Sequence, residues 1–206
     1  MSFAGLRGWV FDLDGTLTIH QHDFPGIRSK LGVPPNQLIL EYLASLPAAQ
    51  ASAKRTALDA IERDLAGNAR PADGARAMLE ALTANGHDVG IVTRNTKANA
   101  LLSLNQIGLS DLVNADHVFG RDDGEPKPSP SVLFHLAAAW QLDISHCVMI
   151  GDHLLDLETG RNAGVMTIHV DPTGTFSWPD MSDHCFVSLT EILDHLAPHL
   201  ETNLER

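Results

Sequence analysis

Two aspartates two positions apart, Asp12 and Asp14, close an apolar run in the stretch FDLDGTLT at residues 11–18. Alternate residues of a strand point the same way, so these carboxylates fall close together, where like charges repel. A second acidic pair, Asp152 and Asp156, lies in GDHLLD at residues 151–156. Between the two pairs, Thr93 ends the apolar run HDVGIVT, and Lys127 sits in the loop GRDDGEPKPSP between Pro126 and Pro128. If these residues meet, the carboxylates need a counter-charge. A hard divalent cation is the natural one, and Mg²⁺ suits oxygen ligands. Lys127 adds a further positive charge, and a phosphate dianion would complete the set. Helix N-termini after Thr93 and Asp152 would turn backbone N–H groups toward such an anion.

The residues meet only if the fold brings them together. Short apolar runs at 8–13, 87–93, 115–120, 146–152 and 165–170 read as strands. They alternate with helical patterns at 72–86, 95–109, 129–142, 154–164 and 190–200. That alternation predicts a parallel sheet covered on both faces. In such sheets ligands bind beyond the carboxyl ends of the strands. Asp12 and Asp14, Thr93, Lys127, and Asp152 with Asp156 all follow a strand end.

Residues 17–71 have a different texture. PGIRSKLGVPP predicts a short helix stopped by Gly32 and the pair Pro34-Pro35. NQLILEYLASL predicts a second helix with Asn36 as its N-cap, broken by Pro47. An Ala-rich helix follows and ends near Gly67. The expected architecture is an α/β, Rossmann-like parallel sheet with helices on both faces. A small all-helical cap is inserted after its first strand. The core comprises residues 1–16 and 72–206, and the cap residues 17–71.

FDLDGTLT, Thr93, Lys127 and GDHLLD, in this order, resemble the haloacid dehalogenase superfamily. The resemblance is to its phosphatase branch, and within that to the phosphoglycolate-phosphatase-like group with a helical cap. It implies that Asp12 is the nucleophile that becomes an aspartyl phosphate. Asp14 matches the general acid/base, and its backbone carbonyl matches a metal ligand. Thr93 and Lys127 match the phosphate-binding hydroxyl and ammonium. Asp152 matches the acidic metal ligand, so the metal set is Asp12, Asp14 and Asp152. Asp156 matches the second acid of its motif, which binds the metal through water or orients its neighbours. The implied activity is Mg²⁺-dependent hydrolysis of a small phosphomonoester. A sugar-phosphate mutase using the same intermediate is the alternative. A halide-releasing dehalogenase needs neither the acid at Asp14 nor a metal. A non-catalytic phosphate-binding protein on this fold would be expected to have lost a catalytic carboxylate, and all are present.

Each residue also has an ordinary structural reading. Asp12 to Gly15 make a common turn sequence. Thr93 and Asp152 could cap the helices that follow them, Lys127 could be a solvated loop residue, and Asp156 a surface acid. His20, His22 and Asp23 read as a solvated polar loop, Arg94 as facing solvent, and His153 is open. Leu38, Tyr42, Leu43 and Leu46 read as internal packing of the cap. Asp122, Asp123 and Glu125 read as a solvated acidic loop.

Composition narrows the classes further. The 206 residues carry a formal net charge of -12, with no basic cluster, which argues against nucleic acid as a partner. The two cysteines, Cys147 and Cys185, form no CxxC pattern and fit a reducing compartment. MSFAGLRGWV lacks the form of a leader peptide, and no run approaches membrane-spanning length. The expectation is a cytoplasmic protein acting on a small phosphorylated metabolite, with no membrane partner. Oligomeric state is not legible.

Overall fold

The computed structural model describes residues 3–200. Its sheet is built from β1 (Gly8–Phe11), β2 (Asp88–Val92), β3 (Val118–Phe119), β4 (Cys147–Gly151), β5 (Met166–Val170) and β6 (His184–Phe186). The strands lie in the order β3-β2-β1-β4-β5-β6, and every pairing is parallel. The chain builds outward from β1 to β3 on one side, then crosses over to build β4 to β6 on the other. The crevice between β1 and β4 is therefore the switch point, where open parallel sheets bind ligands. Register places Phe11 opposite Ile150, and the Asp12 N–H donates to the Ile150 carbonyl at 2.8 Å. Asp12 and Asp152 thus leave the sheet side by side.

The helices after the insertion are α4 (Ala75–Ala84), α5 (Lys97–Gln106), α6 (Ser131–Ala139), α7 (Leu154–Ala163) and α8 (Leu189–Leu200), and those within it are α1 (Phe24–Leu31), α2 (Ile39–Ser45) and α3 (Ala48–Gly67). Period-two alternation along β1 sends Trp9 and Phe11 to one face and Val10 to the other. Trp9 and Phe11 join Met78, Leu79 and Leu82 of α4 with Ile192 and Leu196 of α8. Val10 and Met149 pack with Leu133 and Leu136 of α6. α1 to α3 have their own small core, in which Leu31, Leu43 and Leu58 are buried around Ile27 and Val33.

The fold is the expected α/β class, with differences in detail. β6 was not expected, because its three residues, HCF, form no apolar run. α1 ends as expected at Gly32, whose φ of 62° is left-handed. Asn36 does not cap α2. Leu38 holds the N-cap position without a side-chain bond, because Gln37 N closes a turn onto Pro34 O. Thr96, not Thr93, caps α5, and His153, not Asp152, caps α7. Among the described residues no helix is long and apolar enough to cross a membrane.

Candidate active site

Lys127 is the hub of the site. Its Nζ lies 2.5 Å from Asp12 Oδ1 and 2.5 Å from Asp156 Oδ1. All three side chains are almost wholly inaccessible to solvent. One carboxylate oxygen from each of Asp12, Asp152 and Asp156 falls within 4.8 Å of the others. Asp156 uses both its oxygens, because Oδ2 also accepts the His153 N–H at 3.0 Å. That bond is half of a capping box, and the other half runs from Leu155 N to His153 Nδ1. The acid that faces Lys127 is thus fixed by the first turn of α7.

Two glycines permit this crowding. A Cβ at Gly15 would strike the Asp152 carboxylate, and its φ of 104° is a conformation that side chains resist. A Cβ at Gly151 would overlap the Asp156 side chain. Neither strand end could hold its acid so near the other with a larger residue there.

Electrostatics define what the cluster can hold. Burial and the carboxylates of Asp156, Asp152 and Asp14 push Asp12 well above the usual carboxylate range, against the pull of Lys127. Burial and Asp156 push Asp152 up to about 7. Burial alone would lower Lys127, but Asp12 and Asp156 outweigh it, and the ammonium stays charged. One ammonium cannot neutralise three carboxylates, so the cluster has an unmet need for positive charge. An all-oxygen donor set with that need fits a hard divalent cation.

Thr93 extends from β2 to the same rim and is buried. Its Oγ1 accepts from Asn95 N at 3.0 Å, closing the turn before α5. Asn95, for which the sequence suggested no role, is 5% exposed. It donates from Nδ2 to Asp14 Oδ2 at 3.3 Å, while its Oδ1 accepts from Thr96 N and Asn99 Nδ2. Asp14 is partly buried on the cavity side. The structure therefore brings together all six expected residues: Asp12, Asp14, Thr93, Lys127, Asp152 and Asp156.

Several residues read as peripheral also belong to this cavity. His20 and His22 line it, and His20 Nδ1 is 3.9 Å from Asp152 Oδ2. His22 is pushed down from the usual imidazole value, mainly by burial. Asp23 instead caps α1, accepting from Gly26 N at 3.0 Å. Arg94 does not simply face solvent: its Nη2 meets both Glu41 oxygens, at 2.6 and 2.8 Å. Leu38 is not internal packing but 40% exposed at the cavity. Glu62 of α3 also lines the cavity and pairs with Arg121 at 2.7 Å. Burial pushes Glu62 up to about 7, with Arg121 opposing. The Ala-rich pattern around Glu62 held no signal that this acid turns inward. Asp123 and Glu125 bond Gly120 N and Ser129 Oγ within their own loop.

Comparison with known proteins agrees with this geometry. Residues 36–164, well over half the chain, match the haloacid dehalogenase-like hydrolase family. An uncharacterised hydrolase from Saccharomyces cerevisiae is 27% identical over 196 residues, covering 92% of this chain and 90% of that protein. An N-acetylmuramic acid 6-phosphate phosphatase from Pseudomonas aeruginosa is 29% identical over 189 residues, covering 80% of this chain and 81% of that one. In three dimensions, a hydrolase from Pseudomonas syringae superposes with a TM-score of 0.76 at 20% identity, over 93% of this chain and 98% of that one, which bears on the fold alone. The family match begins beyond Asp12 and Asp14, yet the fold seats both beside the matched residues, and the chain belongs to the haloacid dehalogenase-like hydrolase family.

Proposed function

We propose that this chain is a Mg²⁺-dependent phosphatase that hydrolyses a phosphomonoester through an aspartyl phosphate on Asp12. The observation that carries this reading is the Lys127 ammonium held 2.5 Å from Asp12, with Asp152 and Asp156 beside it. Phosphoryl transfer asks little of a protein beyond positioning and charge stabilisation, and this cluster supplies both. The similarity to a phosphatase of an N-acetylated sugar phosphate supports the same reaction class.

Asp12 attacks phosphorus, forming an O–P bond as the ester O–P bond breaks, and Asp14 gives its proton to the departing alkoxide. Asp14 then takes a proton from water. The resulting hydroxide attacks the phosphoryl group, releasing phosphate and regenerating the Asp12 carboxylate. Asn95 holds Asp14 toward this point through its 3.3 Å bond. Thr93 and Lys127 bind phosphoryl oxygens. Asp12, Asp152 and the Asp14 main-chain carbonyl would hold Mg²⁺, which when bound neutralises carboxylate and phosphoryl charge together. Asp156 is a positioning residue, since both its oxygens are already engaged. The three-helix insertion, residues 17–71, acts as the lid over this chemistry.

The test is phosphate release from a panel of phosphomonoesters, with Mg²⁺ and with EDTA. Metal-dependent release is expected, with acid-stable label trapped on the wild type but not on Asp12→Asn. Clean protein that releases no phosphate in Mg²⁺ overturns the reading.

A further inference from the structure

The phosphate end occupies only the floor of the cavity, whose volume is about 320 Å³. That falls in the range of small-molecule pockets, about 300–1,000 Å³, and is more than a phosphoryl group alone needs. The remainder lies against the three-helix insertion. That wall is formed by Phe24 and Ile27 of α1, Leu38, Ile39 and Leu40 at the start of α2, and Leu58 of α3. Phe24 and Leu38 are 38% and 40% exposed. Among the described residues only four large hydrophobic side chains stand so open, and two of them are at this mouth. Large apolar groups left open beside a site mark a surface that something apolar covers.

Two of the charged side chains on the same wall are already in ion pairs, Glu62 with Arg121 and Arg94 with Glu41. Arg28 donates from Nε to the Gln37 carbonyl at 3.3 Å and lies over the Phe24 ring. His22 stacks on that ring, with centroids 5.2 Å apart and planes 16° from parallel. An anionic leaving group would face the Glu62 carboxylate and would have to displace Glu41 from Arg94, and a polyhydroxylated one would leave its hydroxyls against Leu and Ile side chains. Either arrangement costs unmade hydrogen bonds.

We propose that this wall is a leaving-group subsite for an uncharged, apolar or aromatic alcohol, with Phe24 and Leu38 as its specificity-determining residues. The proposal rests on the phosphatase reading for its chemistry, but its binding can be tested separately. The substrate class is a phosphomonoester whose alcohol carries a ring or short hydrocarbon body, rather than a small acid or a polyol.

The experiment compares benzyl, ethyl and glycerol phosphates; glycerol is the most acidic of the three alcohols, so intrinsic leaving-group reactivity does not favour benzyl over glycerol phosphate. We expect kcat/KM for benzyl phosphate to exceed that for glycerol phosphate by roughly tenfold or more, the discrimination typical of a few added apolar carbons in a hydrophobic pocket. Phe24→Ser and Leu38→Ser should each lower the benzyl-to-ethyl ratio several-fold. Both side chains are exposed, so neither change opens the core. Calorimetric binding of benzylphosphonate against ethylphosphonate, in Mg²⁺, reads the subsite without turnover. Benzyl preference in binding with no hydrolysis of any ester keeps the subsite and removes the phosphatase reading. Hydrolysis of glycerol phosphate as fast as benzyl phosphate, or an unchanged ratio in both variants, keeps the phosphatase reading and removes the subsite.

Discussion

Lys127 Nζ and Asp12 Oδ1 are 2.5 Å apart across 115 positions of sequence, and neither side chain has appreciable contact with solvent. The contact exists only because β1 and the loop after β3 open onto one rim. Removing the ammonium strands Asp12 and Asp156 as buried acids. Lys127→Met should therefore destabilise the fold by about 3–5 kcal/mol at neutral pH, the cost of breaking a buried pair from one side. The loss should shrink as the pH falls, because protonation of Asp12, which burial already pushes well above the usual carboxylate range, removes a stranded charge. Chemical denaturation of both proteins at pH 7.5 and pH 5 reads this. A variant as stable as wild type at both values would mean that the ammonium is not holding the cluster.

Asp14 is tied to Asn95 and not to Lys127, which separates it from the charge-holding part of the cluster. Asp14→Asn keeps the shape and removes the proton carrier. Both formation and hydrolysis of the aspartyl phosphate should slow by roughly 10²–10⁴-fold, the usual contribution of general acid–base catalysis. The fold should be retained, because no buried ion pair is lost. Rapid-quench measurement of each half-reaction is the check. If only one step slows, Asp14 serves only that step.

Asp12, Asp14 and Asp152 could be read from the chain because each follows a buried strand, and buried strands are continuous apolar runs. The residues that could not be read lie where pattern is degenerate. α3 is Ala-rich, so its sequence does not say which face turns inward, and Glu62 looks like any solvated acid. Asn95 gives no sign of its role, because its contact is with a side chain 81 positions away. Leu38 has the composition of core but sits at an N-cap, where the chain direction changes and the side chain is left outside. β6 is an edge strand of three partly buried residues, too short to show alternation. Periodicity reports burial, and all of these positions depart from it.

Among the described residues, two arginine-centred ion-pair groups join the insertion to the core, and they should differ in strength. Arg121 meets Glu62 and Asp59 of α3, and the facing side chains of Arg121 and Glu62 are each only 11% exposed. Its main-chain N–H also donates to the Asn95 carbonyl, next to the site. Arg94 meets Glu41, which is 51% exposed. Arg121→Ala should cost about 3 kcal/mol, because it strands Glu62 in a buried place. Glu41→Ala should cost less than about 1 kcal/mol, as exposed pairs do. Thermal or denaturant melts of the two variants decide it. Equal losses would show that neither pair fastens the insertion more than the other.

A pH response far from the site is built into His87. The ring is buried at 7% exposure, and its Nδ1 accepts the Trp9 Nε1–H at 2.8 Å. Arg7 Nη1 lies 3.2 Å from Nε2. Burial first, and the Arg7 guanidinium second, push the imidazole down to about 4 from the usual 6.5. Protonation at Nδ1 would also break the Trp9 bond. Between pH 6.5 and 4 the unfolded chain takes up a proton that the folded one refuses. Stability is therefore full above pH 6.5, falls as pH drops toward 4, and levels off below. The contribution lost across that window is about 3 kcal/mol, from the size of the shift at about 1.4 kcal/mol per unit. Asp152, pushed up to about 7, also changes charge as the pH falls, so the slope must be isolated by substitution. His87→Gln keeps an acceptor for Trp9 and has no proton to gain. Its unfolding free energy should fall less steeply than that of wild type from pH 6.5 to 4.5, and the two curves should run parallel above pH 7. Parallel curves throughout would place the acid sensitivity elsewhere.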